Sequence, residues 1–198
     1  MSQTPPKPHH HGDLRAALIR AGIDILQTDG FHGLSLRKCA ARAGVSHAAP
    51  AHHFDGLAGL KGAIAHHGLT LFREAMVAAS KDETDDLARL KGICRGYLNF
   101  VAARPALFRL MFGFESHEIE KAAREIDDAV AYDVLRAACA PFVRKDLPAP
   151  ILEAQVWSLI HGYATLYLTG NFLRDVHALP EQEAFDQVMA ALDRMVSL

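Results

Sequence analysis

The stretch SLRKCAARAGVSHAAPAHHF, residues 35–54, decides the fold of this chain. Small and apolar residues recur in it at the three- and four-residue spacing of one helix face: Leu36, Cys39, Ala40 and Ala43. Gly44 follows them, and a glycine in this place readily takes the left-handed conformation that ends a helix. Ser46 is then positioned to cap a second helix with its hydroxyl group. The stretch therefore predicts two short helices joined by a glycine turn, a helix-turn-helix motif.

The polar residues of this stretch are of the types that contact DNA. Arg37, Lys38 and Arg42 lie outside the apolar face, and His47 and His52 belong to the second predicted helix. Such side chains reach phosphates and base edges. Helical periodicity alone also fits an alanine-rich hairpin in a protein core, so the residues by themselves leave both interpretations open.

Residues 12–67 resemble the DNA-binding domain of the TetR family of bacterial transcriptional regulators. Four segments carry the likeness in the family's order: HHGDLRAAL, TDGFHGLSLR, AGVSHAAP and HHF. The resemblance implies a three-helix helix-turn-helix DNA-binding domain at residues 12–60. A helical bundle that binds a ligand and dimerises would follow at residues 61–198. We expect residues 1–11, with three prolines and three consecutive histidines, to form a mobile arm.

The resemblance also assigns positions that contact DNA. The expected set comprises Ser35, Leu36, Arg37, Ser46, His47, Ala48, Ala49, Ala51, His52 and His53. Arg37 and the backbone near Ser35 would hold phosphate, and a dimer would read a near-palindromic double-stranded DNA operator. The family often has tyrosine at the position of Ala51 and lysine at that of Leu57, so we expect weaker DNA binding here. Lys61, one helical turn further on, is the expected substitute.

Composition places the chain among all-α proteins. Half of its 198 residues are hydrophobic, and alanine and leucine recur at helical spacing in nearly every long segment, whereas strand patterns are scarce. No run approaches the roughly 20 apolar residues of a membrane span, and the amino terminus lacks the pattern of a signal peptide. We therefore expect a cytoplasmic protein with no membrane partner.

Charge is distributed unevenly along the chain. The net charge is −2, yet residues 1–54 contain six Lys and Arg against three Asp. An acidic remainder attached to a mildly basic end indicates that only this end approaches phosphate. The distribution favours DNA as the partner of residues 1–54.

Helical patterns continue on both sides of the motif. Asp13 is placed to cap a first helix, and Gly30 to end it. The inward stripe of this helix comprises Leu14, Ala17, Leu18, Ala21, Ile25 and Leu26. Glycines after Phe54 separate the motif from a long helix that runs to about Ser80, and a charged helix is predicted over residues 116–140.

The cysteines are three in number and widely spaced: Cys39, Cys94 and Cys139. Each has small or apolar neighbours, unlike a disulfide framework or a paired-cysteine metal site. We interpret them as reduced core residues, with a reactive thiol sensor as the alternative.

Two segments of the predicted bundle are rich in large apolar residues. RPALFRLMFGF, residues 104–114, and PILEAQVWSLIHGYATLYLTGNF, residues 150–172, fit either core helices or the wall of a ligand pocket. Trp157 and His161 are four residues apart and share a helix face. WSLIHG also resembles the tryptophan-histidine-glycine motif in the carboxy-terminal domain of one TetR subgroup. The candidate lining comprises Tyr97, Phe100, Phe108, Met111, Phe112, Trp157, His161 and Ala164.

The last predicted helix carries one apolar stripe. Its members are Phe185, Val188, Met189, Leu192 and Val196. The family resemblance implies a homodimer formed through the last two long helices, so we expect this stripe to face a second copy. Folding back onto the same subunit is the alternative.

These features predict a ligand-responsive repressor that a small, largely apolar effector releases from its operator. We expect no enzymatic activity, because Ser158 with His161 lacks a third orienting group and the sequence has no phosphate loop or dinucleotide fingerprint. We also expect no cofactor and no metal. Two alternatives stay open: a metal-responsive regulator that uses some of the twelve histidines, and a TetR-like dimer with weak or lost DNA binding.

Overall fold

The computed structural model describes residues 11–113, 129–170 and 181–196, and these ranges are almost entirely helical. This confirms the all-α class. The described helices are α1 (His11–Asp29), α2 (Leu36–Arg42), α3 (Gly56–Ser80), α4 (Asp86–Ala103), α5 (Pro105–Phe112), α6 (Ala129–Cys139), α7 (Ala149–Thr169) and α8 (Glu181–Val196). Short 3-10 segments occur at Phe31–Gly33, Ala49–His52 and Ala140–Phe142. Of the charged helix predicted over residues 116–140, the part before Ala129 lies outside the described residues.

The described residues form two compact units. The first unit contains residues 11–68 and 109–113. The second unit contains residues 69–108, 129–170 and 181–196. Helix α3 therefore contributes its first half to one unit and its second half to the other.

Helix α1 is central to the first unit, where it packs along α2. The buried apolar side chains of this unit include Leu18, Ala21, Ile25, Leu26, Leu34, Cys39, Ala40, Leu60 and Ile64. Leu14 and Ala17, which begin the predicted stripe of α1, are only half-buried. Removal of this shared apolar surface from water stabilises the three-helix arrangement.

The two ends of α1 were predicted with different success. Gly30 follows the last residue of the helix, as predicted, and has a φ of 71°. The predicted start is wrong, because α1 begins at His11 and Asp13 lies inside the helix instead of capping it. Nothing in the two residues before Asp13 forbids helical backbone, so the helix extends past it. The predicted mobile arm, residues 1–11, lies outside the described residues except for His11.

Helix α2 begins and ends where the sequence predicts. The Ser35 hydroxyl oxygen accepts a hydrogen bond from the backbone N–H of Lys38 at 3.2 Å, which caps the helix. Gly44 adopts a φ of 69°, and the N–H of Val45 donates to the carbonyl of Ala40 at 3.0 Å. The first half of the predicted motif is therefore a capped helix closed by a left-handed glycine.

The prediction of a second α-helix in the motif is wrong, because Ala49–His52 form one 3-10 segment. Ser46 does not cap it through its hydroxyl; its backbone carbonyl instead accepts the N–H of Ala49 at 3.0 Å. Pro50 at the start of the segment is buried and has no N–H to donate. Phe54 is also buried, so the chain turns inward before helical bonding can propagate.

Close backbone packing joins α4 to the second half of α3. A Cβ atom built at Gly96 would lie 2.6 Å from the carbonyl oxygen of Ala75 and 2.7 Å from Cα of Met76. One built at Gly92 would lie 2.8 Å from the carbonyl oxygen of Ala79. Only glycine fits at such separations, so these two residues allow the helices to meet through their backbones.

Aromatic rings fill the core between α3, α4 and α5. The ring centroid of Phe72 lies 4.6 Å from that of Tyr97 and 5.1 Å from that of Phe100, in edge-to-face geometry. Phe108 approaches Tyr97 at 5.9 Å. Edge-to-face pairs stabilise a core by more than their buried area alone.

Helix α8 folds back onto its own chain. Phe185, Met189 and Leu192 of its apolar stripe are buried, and α8 contacts α4 and α7. The ring of Phe185 meets that of Tyr163 on α7 at 5.8 Å. The expectation that this stripe faces a second copy is therefore wrong, because helices of the same subunit already cover it. The alternative, in which α8 packs within its own subunit, is confirmed. A homodimer through other faces of the last two long helices stays a prediction.

Candidate DNA interface and effector site

Helix α2 presents three basic side chains, of which two are held by the end of α1. Lys38 Nζ pairs with Asp29 Oδ2 at 3.1 Å, and Arg42 Nη1 donates to Thr28 Oγ1 at 3.4 Å. Hydrogen bonds from Thr28 and Lys38 hold the pKa of Asp29 below its usual value. Arg37 is exposed and makes no ion pair within the described ranges. It is therefore the member of the trio best placed to reach a phosphate.

The predicted DNA-contact residues after α2 lie in the turn and the 3-10 segment. Those with exposed side chains are Ser46, His47, Ala48, Ala51 and His52, whereas Ala49 and His53 are half-buried. Ser35 and Leu36, at the start of α2, are also half-buried. A single 3-10 segment presents fewer side chains in one direction than an α-helix of several turns.

Lys61, the expected substitute for a missing phosphate contact, already contacts an aromatic ring. Its Nζ lies 4.4 Å from the ring centroid of Phe31, a cation–π contact, and the side chain is half-buried. Arg15 makes a similar contact with the ring of Phe54 at 5.3 Å. A phosphate would have to draw Lys61 away from Phe31.

In the second unit, three of the predicted effector-site residues form a connected group. The Tyr97 hydroxyl oxygen lies 2.7 Å from Nδ1 of His161. The Trp157 ring stacks on that of His161 at 5.5 Å and 12°, and meets the ring of Tyr97 edge-on at 6.0 Å. Burial lowers the pKa of His161 and raises the pKa of Tyr97. Near pH 7 both groups are therefore neutral, and either the phenol donates to Nδ1 or Nδ1–H donates to the phenol, according to the imidazole tautomer.

A narrow apolar cavity lies beside this group, with room for about one water molecule. It is lined by Met76, Ile93, Cys94, Tyr97, Ala131, Leu135, Val156, Trp157 and Ile160. Tyr97 and Trp157 are the predicted residues in that lining. Phe100, Phe108 and Ala164 are buried in the surrounding core. The aliphatic lining residues were missed, because nothing in their sequence pattern distinguishes a cavity wall from a core.

The remaining two predicted effector-site residues belong to the other compact unit. Met111 and Phe112 are half-buried and belong to the first compact unit. The cavity described above is lined entirely by residues of the second unit.

Sequence reasoning also missed a buried carboxylate. Glu153 on α7 is 7% exposed, and its Oε2 accepts a hydrogen bond from the hydroxyl of Tyr132 at 2.6 Å. This hydrogen bond raises the pKa of Tyr132. Glu153, Trp157 and His161 follow one another at four-residue spacing and so share one face of α7. That spacing was the signal available in the sequence.

The cysteines are free and buried, which confirms their interpretation as reduced core residues. Burial raises the pKa of Cys94 and raises that of Cys139 to about 12, so thiolate formation is suppressed. In the part of the chain that the structure describes, no three His, Cys, Asp or Glu side chains gather as a metal site. Within the same ranges, no helix is long and apolar enough to cross a membrane.

A capped helix closed by a glycine turn in one unit and an apolar cavity in the other are features that an all-α DNA-binding regulator would have. The chain belongs to the TetR family, because residues 90–192 match the family described as tetracyclin repressor-like, carboxy-terminal domain. It is therefore a transcriptional regulator and not an enzyme. Proteins of this family bind DNA and ligands and form dimers. The subgroup suggested by WSLIHG stays a prediction.

Solved structures share the fold. A protein of unknown function from Rhodococcus sp. RHA1 is 28% identical with a TM-score of 0.74, and the match covers 98% of this chain and 100% of that one. FadR of Bacillus subtilis, solved in complex with stearoyl-CoA, is 15% identical with a TM-score of 0.70, over 92% of this chain and 97% of FadR.

A relative of named function is also similar in sequence. The nucleoid occlusion factor SlmA of Photobacterium profundum is 25% identical over 172 residues. Those residues are 80% of this chain and 85% of SlmA. The similarity therefore extends over most of both proteins.

Proposed function

We propose that this regulator binds a near-palindromic operator as a homodimer and represses transcription until a small, largely apolar effector releases it. Its DNA-binding domain comprises residues 12–60, and its effector-binding and dimerisation domain comprises residues 61–198. The observation that carries the proposal is the exposed Arg37 on the first turn of a capped helix, beside two cations that are already engaged. A guanidinium in this position is suited to a backbone phosphate.

The proposed DNA contacts are Ser35, Leu36, Arg37, Ser46, His47, Ala48, Ala49, Ala51, His52, His53 and Lys61. The exposed side chains of His47 and His52 are the best candidates for base edges or phosphates in the major groove. The methyl groups of the alanines would meet thymine methyl groups. These contacts would be repeated one helical turn of DNA away by the second subunit.

The single 3-10 segment at Ala49–His52 favours a second candidate, a TetR-family dimer with weak or lost DNA binding. A recognition helix normally places several side chains in the groove, and one short segment offers few. Ala51 and Leu57 supply no phosphate contact, and each missing contact removes about 0.9 from the slope of log affinity against log salt.

Fluorescence anisotropy separates these two candidates. The probes are labelled duplexes from the DNA that flanks the protein's own gene, with a scrambled duplex of equal length as the reference. Specific binding that Arg37→Ala abolishes supports the operator proposal. The matched control is Arg73→Ala, which removes an exposed arginine from α3 and should leave binding unchanged. Equal affinity for flanking and scrambled DNA supports loss of specific binding.

The outer face of α7 is the proposed centre of the dimer. Ile151 and Leu166 on this helix are 51% and 42% exposed. Ser158 and Thr165 between them are also exposed, and a Cβ built at Gly162 meets nothing within 4 Å. Small side chains allow close approach of another helix, and TetR-family proteins dimerise, so a second copy would cover this face.

Light scattering after size exclusion tests the dimer face. Thr165→Arg introduces a charge at its centre and should give monomers at micromolar concentration. Ala78→Arg, at an exposed position on α3, is the matched control and should stay dimeric. A dimeric Thr165→Arg variant would place the interface elsewhere.

Effector control would act through the cavity beside Tyr97 and Trp157. The cavity holds about one water molecule, so an effector has to widen it. A ligand shifts a conformational balance only by its difference in affinity between the two states, typically about 1–3 kcal/mol. Movement of Trp157 against Tyr97 and His161 is the proposed first step. If Trp157→Ala and His161→Ala leave the response to ligand unchanged, the effector binds elsewhere.

A further inference from the structure

Glu153 is a buried carboxylate that has few hydrogen bonds and no ion pair among the described residues. It is 7% exposed, and Oε2 accepts one hydrogen bond, from the neutral hydroxyl of Tyr132 at 2.6 Å. Among the described residues, no lysine or arginine pairs with it, and Oε1 accepts no hydrogen bond from the protein but keeps some contact with solvent. Burial of a carboxylate is costly unless a cation or several donors compensate for the lost water. A cation close to the Glu153 carboxylate would therefore be stabilised.

Aromatic rings lie beside this carboxylate. The rings of Tyr132 and Trp157 are 6.0 Å apart, and Trp157 follows Glu153 by one helical turn. The faces of tyrosine and tryptophan rings attract cations. Arg136 already lies over the Tyr132 ring at 5.2 Å, but it is exposed and pairs with Asp133 at 2.9 Å instead of with Glu153.

Glu153 does not itself line the apolar cavity, but neighbouring residues on the same two helices do. Val156 and Trp157, three and four residues after Glu153 on α7, both line it. On α6, the residues before and three after Tyr132, Ala131 and Leu135, line it too. A negative group with aromatic neighbours is thus within one helical turn of residues that line a space whose walls are almost wholly hydrocarbon and aromatic ring.

We propose that the effector is an amphiphilic amine, whose ammonium group pairs with Glu153 beside the rings of Tyr132 and Trp157 while its hydrocarbon part occupies the apolar cavity. This inference rests on the proposed effector site and names the chemical class of its ligand. The half-buried Trp157 is the large side chain at the wall that moves to admit the chain. An anionic head group in the same place would be repelled by Glu153.

Intrinsic fluorescence tests the proposal directly, because Trp157 is the only tryptophan in the protein. Octylammonium, octanol and octanoate have the same chain length and differ in the charge of the head group. Each is titrated into the full-length protein while Trp157 emission is recorded. We expect octylammonium to bind at least about tenfold more tightly than octanol, and octanoate to bind most weakly.

Three variants assign the preference to one side chain. Glu153→Gln keeps the size and an acceptor for Tyr132, and should lower octylammonium affinity by about tenfold or more without changing that for octanol. Glu183→Gln makes the same change at an exposed position on α8 and should have no effect. Tyr132→Phe keeps the carboxylate and should retain the order of the three probes. Circular dichroism checks that each variant is folded.

The proposal is overturned by equal affinity for the three probes, by a preference for octanoate, by binding of none of them, or by unchanged octylammonium binding in Glu153→Gln. The order of the probes in the unaltered protein decides even where that variant does not fold. Trp157 emission needs no DNA, so octylammonium binding without operator binding would refute only the operator proposal. If octanol and octylammonium release the protein from its operator at equal concentrations, the proposed effector site stands and only the assignment of an amine as its ligand is refuted.

Discussion

The hydroxyl oxygen of Tyr97 lies 2.7 Å from Nδ1 of His161, and this contact joins the middle of α4 to the middle of α7. Both groups are kept neutral by their surroundings, since burial lowers the pKa of the imidazole and raises the pKa of the phenol. The contact is therefore a hydrogen bond between two neutral groups in largely apolar surroundings.

Stability should fall in mild acid because of His161. Its pKa in the folded protein is lowered from 6.5 by burial, so the unfolded chain binds this proton more readily. The contribution of the neutral imidazole is present above about pH 6.5 and is lost as the pH falls through that value. We expect the free energy of unfolding in urea to drop less between pH 7.5 and 5.5 in His161→Gln than in the unaltered protein, each pH being about one unit from 6.5.

The control for this experiment is His66→Gln, at an exposed position on α3. It should show the same acid loss as the unaltered protein. An identical loss in His161→Gln would mean that the acid sensitivity arises from other groups.

Gly96→Ala should destabilise the second unit. The added methyl group would lie 2.6 Å from the carbonyl oxygen of Ala75, so α3 and α4 must separate. We expect the free energy of unfolding, measured in urea, to fall by about 1–3 kcal/mol. Gly59→Ala is the control, because its Cβ would meet neighbours no closer than 3.5 Å. It should not destabilise the protein, since alanine is more favourable than glycine in a helix by up to about 1 kcal/mol. Equal stability of the two variants would contradict the close packing.

The basic residues of α2 should differ in their effect on DNA binding. Arg37→Ala should reduce the slope of log affinity against log salt by about 0.9, the value for one phosphate contact. Lys38→Ala should change it less, because its ammonium group already pairs with Asp29 at 3.1 Å. Anisotropy titrations at several salt concentrations measure both slopes. A larger change in Lys38→Ala would show that the pair with Asp29 opens on DNA.

The cysteines should not react in the native state. Cys39, Cys94 and Cys139 are buried, and burial raises the pKa of each thiol. A colorimetric thiol reagent should titrate three groups in denaturant and react only slowly without it. Rapid reaction of one thiol in the native protein would revive the redox-sensor alternative.

Local chemistry explains which parts of the fold could be predicted. The Ser35 cap and the left-handed Gly44 follow from the properties of single residues, so the first half of the motif was predictable. The 3-10 segment was not, because it depends on burial of Pro50 and Phe54, which a short sequence window does not report.

Two further features could not be predicted from the sequence: which surface covers an apolar stripe, and how deeply a charged residue is buried. Periodicity correctly marked the stripe of Phe185 and Leu192 as buried, but a stripe does not say which surface covers it. In the same way, Trp157 and His161 were singled out by their types and spacing. Glu153 was missed, since charged residues are usually exposed and its burial depends on Tyr132 from another helix.

The way α8 packs sets the order in which the nascent protein can fold. Helices α1 and α2, both complete by Arg42, contact each other and can associate early on the ribosome. The second unit still lacks Phe185 and Leu192 when translation reaches residue 180, so part of its hydrophobic interior stays open until α8 has been synthesised. The second unit should therefore close later than the first, and polypeptides that terminate before α8 should be held by chaperones or degraded.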